Sequence, residues 1–114
     1  LINFYYLIFA LTLININNHR RSIMKFFVIG KRKESIKPEQ FAEYLDLEAE
    51  LAIQLFREEF IRELYSIKGG KGACMVIEAK DENEIKEKLS VLPFVKNNYL
   101  DIEIIEVKPY RGFM

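Results

Sequence analysis

The sequence has no tryptophan, one cysteine, one histidine, three prolines and five glycines among its 114 residues. Each scarcity removes a class of protein. A single thiol, Cys74, rules out an intrachain disulfide framework and fits a reducing compartment, with the cytoplasm as the default. The lone histidine, His19, lies in an atypical leading segment, so the rest of the chain has none to offer to zinc, haem or imidazole-based catalysis. Excess charge is also missing: 17 Lys and Arg stand against 17 Asp and Glu, which leaves no electrostatic footprint for nucleic acid. Half of the residues are hydrophobic, and a chain of this length buries enough of them to form one domain.

What is present divides at Met24. Residues 1–23, "LINFYYLIFALTLININNHRRSI", contain no Lys, Asp, Glu or Gly, whereas the remainder is rich in Glu and Lys. The first segment has no basic residue ahead of its apolar run and no small-residue cleavage site, so it does not read as a signal peptide. It is also short of the roughly 20 apolar residues that a membrane helix needs, and Asn3 and Asn15 interrupt it. Leu, Ile, Asn, Phe and Tyr are what AT-rich DNA yields when read in frame. Arg-Arg-Ser-Ile-Met can be encoded as a purine-rich ribosome-binding site just ahead of a start codon. The expectation is therefore an untranslated or apolar leader over 1–23 and one domain over 24–114, without a membrane anchor.

Within 24–114 the pattern alternates between short apolar runs and one long helical stretch. "MKFFVIGK" (Met24–Lys31) predicts a strand, apolar on both faces because Phe26 and Val28 alternate with Phe27 and Ile29. Pro38 opens a helix that runs to about Glu59, with Glu39 in its first turn. "FIRELYSIK" (Phe60–Lys68) and "ACMVIEAK" (Ala73–Lys80) predict two strands joined by a glycine-rich hairpin turn. Asp81 and Glu84 form a capping-box-like start for a second helix, with Ile85, Leu89 and Leu92 on one face and Pro93 as its stop. "YLDIEIIEVKPY" (Tyr99–Tyr110) predicts the last strand. The order βαββαβ is the split, ferredoxin-like α+β motif: one antiparallel sheet with both helices on one face. The other face stays apolar and open, which predicts at least a homodimer.

The first helix carries the main chemical signal. Phe41, Leu45, Ala52, Leu55 and Phe56 form an apolar stripe with Tyr44 beside it, and Glu48 completes the spacing between Leu45 and Ala52. A carboxylate in such a stripe is desolvated and suited to exchange protons near neutral pH. The alternative is a structural ion pair between Glu48 and Arg57 or Arg62. "KGGKG" lacks the spacing and the following helix of a phosphate-binding loop, and reads as a hairpin turn. Its Lys68 and Lys71 can place positive charge at a pocket mouth for an acidic ligand. Cys74 reads as a buried structural thiol and "KRK" (Lys31–Lys33) as a solvated strand end.

"EAELAIQLFREE", "IRELYSIKGG" and "LSVLPFVKNNYLDIEIIEV" together resemble the muconolactone isomerase family, and the likeness runs from Met24 to about Val107. The resemblance implies a dimeric α+β barrel that assembles into a larger ring-like homo-oligomer. It also implies a cofactor-free, metal-free proton shift in a small carboxylated lactone, the activity that converts muconolactone to the 3-oxoadipate enol-lactone. Glu48 then matches the acidic residue of the family's helix that faces the pocket. Arg62 matches an arginine on the second strand and is implied as the carboxylate anchor, and Tyr44 and Tyr65 are implied as cavity lining. The chain departs from the family in the turn after that strand, where Gly70 and Lys71 replace a His and a Tyr. Two function classes follow: an isomerase-like enzyme acting on a small acidic molecule, and a non-catalytic oligomeric binding protein of the same fold.

Overall fold

The computed structural model describes residues 23–113. The expectation for the leading segment therefore falls, apart from Ile23, outside the described residues. The elements are β1 (Met24–Arg32), α1 (Pro38–Arg57), β2 (Ile61–Ile67), β3 (Gly72–Ala79), α2 (Glu82–Leu89), α3 (Pro93–Lys96) and β4 (Leu100–Val107), followed by a 3-10 turn at Arg111–Phe113. The four strands form one antiparallel sheet in the order β2-β3-β1-β4. That is the ferredoxin-like α+β fold the sequence predicts. Among the described residues no helix is long and apolar enough to cross a membrane.

Strand β1 lies inside the sheet between β3 and β4, and its alternation divides the molecule. Phe26 and Val28 are buried under the helices, whereas Phe27 on the other face is 45% exposed. Opposite Phe26 stands Ile77 of β3, in register with Ile61 of β2. Leu55 of α1 and Ile85 and Leu89 of α2 close over these residues, with Phe60 and Leu92 from the connections. Burying such side chains contributes about 1.5–3 kcal/mol each, so this layer carries most of the fold's stability. The helix stripe is only partly a core stripe. Phe41 and Leu55 are buried, but Leu45 and Phe56 are about half exposed, at 49% and 50%.

The caps explain where the helices begin and end. Pro38 stands in the first turn of α1, and the side chain of Gln40 accepts a hydrogen bond from the Lys37 N–H at 3.0 Å. The Asp81 carboxylate accepts from the Glu84 N–H at 2.8 Å and starts α2. Pro93 does not stop that helix, which ends earlier at Leu89; it opens the short α3 instead. A missing N–H costs nothing at a first helical position, so proline starts a helix as readily as it ends one.

Helix α1 closes in a Schellman arrangement. The Phe60 N–H donates to the Leu55 carbonyl at 3.1 Å and the Glu59 N–H to the Phe56 carbonyl at 3.0 Å. Glu59 takes the left-handed conformation there, at φ 66°. A side chain in that region costs about 1–2 kcal/mol, which glycine avoids at some cost in unfolded-state entropy. We expect Glu59→Gly to raise the unfolding free energy by about 0.5–1 kcal/mol in urea titration and Glu59→Ala not to. Equal effects from the two substitutions would exclude backbone strain as the cause.

Candidate active site

One face of the sheet is covered, but not filled along its whole length. At one end Phe26, Ile77 and Ile61 pack solidly against the helices. At the other the residues on the same face are small: Gly30 of β1, Ala73 of β3 and Ser66 of β2, with Gly72 beside them at the strand end. Gly72 is required where it stands, because at φ 141° a Cβ would overlap the Gly30 carbonyl oxygen. The helices cannot collapse onto this floor, and a cavity of about 400 Å³ remains between it and α1, α2 and α3. Its walls are mainly apolar, from Leu45, Ala52, Leu64, Met75, Leu92 and Leu100 among others. That volume and lining suit a small organic ligand.

Glu48 is the acid on these walls. Its Oε2 accepts a hydrogen bond from the Phe94 N–H at 3.0 Å, across 46 positions of sequence. Phe94 follows Pro93 at the start of α3, where backbone N–H groups have no partner within the helix. Desolvation is the largest influence on the Glu48 carboxyl and raises its pKa above the ordinary value. The Phe94 hydrogen bond and the charge of Arg32 act in the opposite direction without cancelling it. Neither Arg57 nor Arg62 forms an ion pair with Glu48, so the structural pairing set against the proton-transfer reading is not formed.

The other expected residues are dispersed. Arg62 does not line the cavity; its guanidinium faces Glu59 at 3.6 Å and Glu78 at 3.9 Å. Arg62 follows Ile61, which is buried under the helices, so alternation turns it away, and an irregularity then sets Glu63 opposite Val76. The irregularity resets the parity, and Leu64 and Ser66 turn to the cavity. Tyr65 lines the cavity edge, and its hydroxyl donates to Glu63 Oε1 at 2.7 Å, which raises the phenol pKa. Tyr44 stands outside the lining, 6.3 Å from the Tyr99 ring. Lys71 lines an adjoining groove with Lys31, Arg32 and Lys33. Cys74, expected to be buried, is half-buried on the open face of the sheet, beside Ile29.

Arg32 is the residue that the sequence reading missed. Its place in "KRK" suggests a solvated strand end, yet Arg32 shares the parity of Phe26, Val28 and Gly30 and so projects to the covered face. Its guanidinium carbon lies 4.5 Å from the centre of the Phe41 ring and 5.6 Å from that of Phe94. Phe41, Phe94 and Tyr99 meet edge-on or tilted at 5.2–6.2 Å, and of the three Phe94 lines the cavity while Phe41 lines the adjoining groove. Among the described residues no cluster of His, Cys, Asp and Glu is arranged to hold a metal ion.

The raised pKa of Glu48 has a consequence for stability. The folded protein holds this proton more tightly than the unfolded chain, so the group's contribution is most favourable at low pH. It declines as pH rises from about 4.5 through the raised value. Glu48→Gln keeps an oxygen that can accept from Phe94 and removes the desolvated charge. The variant is expected to unfold at a higher denaturant concentration than wild type at pH 7, with the difference closing at acid pH. A difference that does not vary with pH would exclude desolvation of this carboxyl.

No family model matches the chain, and no curated sequence does. Solved structures do. A crystal structure of muconolactone isomerase is 26% identical, with a TM-score of 0.62 over 78% of this chain and 93% of that one. The 5-chloro-2-hydroxyhydroquinone dehydrochlorinase TftG from Burkholderia phenoliruptrix AC1100, solved with 2,5-dihydroxybenzoquinone, is 18% identical. Its TM-score is 0.58, over 75% of this chain and 94% of that one. A conserved protein from Methanosarcina mazei Go1 is 20% identical, with a TM-score of 0.50 over 79% of this chain and 99% of that one. These likenesses show the fold, which the muconolactone isomerase and the dehydrochlorinase share.

Proposed function

We propose that the protein is a muconolactone isomerase-like enzyme that moves a double bond in a small carboxylated lactone or related acid by proton transfer, without a cofactor. The observation that carries this reading is Glu48: a desolvated carboxyl on the wall of an apolar cavity, held by a backbone N–H and paired with no arginine. The likeness to muconolactone isomerase over 93% of that chain supports it. The Phe94 bond takes up Oε2 and leaves Oε1 to act on the ligand. Oε1 of the carboxylate takes a proton from the γ carbon of the α,β-unsaturated lactone, and the electron pair spreads into a dienolate. The same oxygen returns the proton to a different carbon of that system. The double bond has then moved, and neither an oxidant nor a reductant is needed. A pKa raised towards neutrality suits both halves of the exchange, since one group must accept and then donate.

The test is turnover of muconolactone by the wild-type protein and by Glu48→Gln. Loss of about 10²–10⁴-fold in kcat is expected for the variant. Equal rates would remove Glu48 from the chemistry. Binding of the lactone without turnover by the wild type would favour the non-catalytic binding protein instead.

The reading includes a homo-oligomer in which a second copy covers the open sheet face. Phe27, Ile29, Val76 and Ile105 stand on this face in adjacent strands, with Phe27 45% and Ile105 37% exposed. A surface of this composition on a sheet is normally covered. Native mass spectrometry is expected to show a dimer or a multiple of it, and Phe27→Glu to shift the population to monomer. A wild-type chain that stays monomeric at micromolar concentration would contradict the barrel.

A further inference from the structure

The cavity holds a desolvated acid, but its ligand also needs a counter-charge, and the residue expected to supply it, Arg62, faces elsewhere. We propose that Arg32 is the anion anchor of this cavity, and that the groove formed with Lys31, Lys33 and Lys71 is the vestibule through which a small carboxylate reaches it. The inference rests on the reading of the cavity as a ligand site and deepens it by assigning the group that selects the ligand.

Position comes first. Arg32 lines both the cavity and the adjoining groove, so it stands where the two meet. It is the one cationic side chain on the cavity wall among the described residues. The groove beyond it is basic, with Lys31, Lys33 and Lys71 against the single acid Glu34. An anion in solution is therefore drawn to the groove and meets the guanidinium before it meets the apolar walls.

The second argument is that Arg32 is held without being neutralised. The guanidinium carbon sits over the Phe41 ring, 4.5 Å from its centre, with the Phe94 ring centre at 5.6 Å, and these contacts limit its rotamers and strip part of its hydration. Among the described residues no carboxylate forms an ion pair with it. Its charge is felt by Glu48, but the two groups do not make a direct pair. A half-buried guanidinium held over aromatic rings can present its N–H fork to a planar oxyanion, and a carboxylate matches that fork with two hydrogen bonds. A ligand with its carboxylate on Arg32 lays its ring against Leu45, Leu92 and Leu100, under Glu48.

The test measures binding rather than turnover, so that failure of the isomerase reading and failure of this one are separable. Benzoate and its neutral isostere benzamide are titrated against the full chain and followed by NMR chemical shifts. The wild type is expected to bind benzoate about tenfold or more tightly than benzamide, because only the former pairs with the guanidinium. Arg32→Gln should abolish that preference while benzamide binding stays unchanged, which also reports that the cavity is folded. Arg32→Lys should keep part of the preference, having the charge without the fork. Replacing Lys31, Lys33 and Lys71 together by Gln should weaken benzoate binding at low ionic strength, with the difference fading as salt screens the groove.

Benzoate preference that survives in Arg32→Gln, or that is absent from the wild type, would overturn the anchor. A triple lysine variant identical to wild type at low salt would overturn the vestibule. A muconolactone-inactive protein that still discriminates benzoate through Arg32 would leave the anchor standing and remove only the isomerase.

Discussion

The structure depends on how a carboxylate is kept beneath a helix. Glu48 projects from α1 over the sheet, where it is half-buried, and a carboxylate that gives up part of its hydration there gains from a hydrogen-bond partner. Its partner is the Phe94 N–H, one of the donors that the first turn of any helix leaves unused. The constraint therefore reaches into the connection between α2 and β4. That connection has to form a short helix, start it with Pro93 and aim its first turn at α1. Asn98, at φ 59°, then ends it in the left-handed conformation, with the Tyr99 N–H donating to the Phe94 carbonyl at 2.9 Å. Asparagine tolerates that conformation better than most side chains. Tyr99 is thereby delivered against the rings of Phe41 and Phe94.

Cavity and core are one feature of a single sheet face, distinguished only by side-chain size. Moving along β1 from Phe26 to Val28 to Gly30, each inward position is smaller than the last. The facing residues of β3 run the same way, from Ile77 through Met75 to Ala73. The helices are rigid and rest on the large end, so they stand off from the small end. Stability and binding are thus divided along the strands. A substitution at Ile77 would create a void in a packed region, whereas a larger residue at Ala73 would fill a space the fold leaves open.

Most of the fold was legible because it is written in local patterns. The doubly apolar β1, the Pro38 and Asp81 helix starts and the glycine turn each predict the element that is found. The site was legible where it follows helical spacing, as with Glu48. It was illegible where strand geometry decides the facing. The irregularity at Arg62 cannot be read from "FIRELYSIK", since inserting one residue into the pairing changes no composition and reverses the parity of everything after it. Arg32 could have been found. Counting by twos from Phe26 places it on the covered face, but a run of three cations at a strand end is read as solvated before parity is considered.

Phe94 deals with a problem common to sites that need both an acid and a cation. Left free in an apolar cavity, a carboxylate and a guanidinium move together, and a paired site has no charge left for a ligand. Here the backbone N–H of Phe94 holds the Glu48 carboxylate while its ring, with that of Phe41, seats Arg32. The acid is satisfied by a neutral donor, which leaves it able to exchange a proton. The cation is satisfied by a neutral aromatic face, which leaves its hydrogen-bonding edge available. Because backbone and ring belong to one residue in one turn of helix, the separation between the two charged groups is set by the geometry of α3 rather than by their attraction. A ligand that spanned this separation would complete both groups at once.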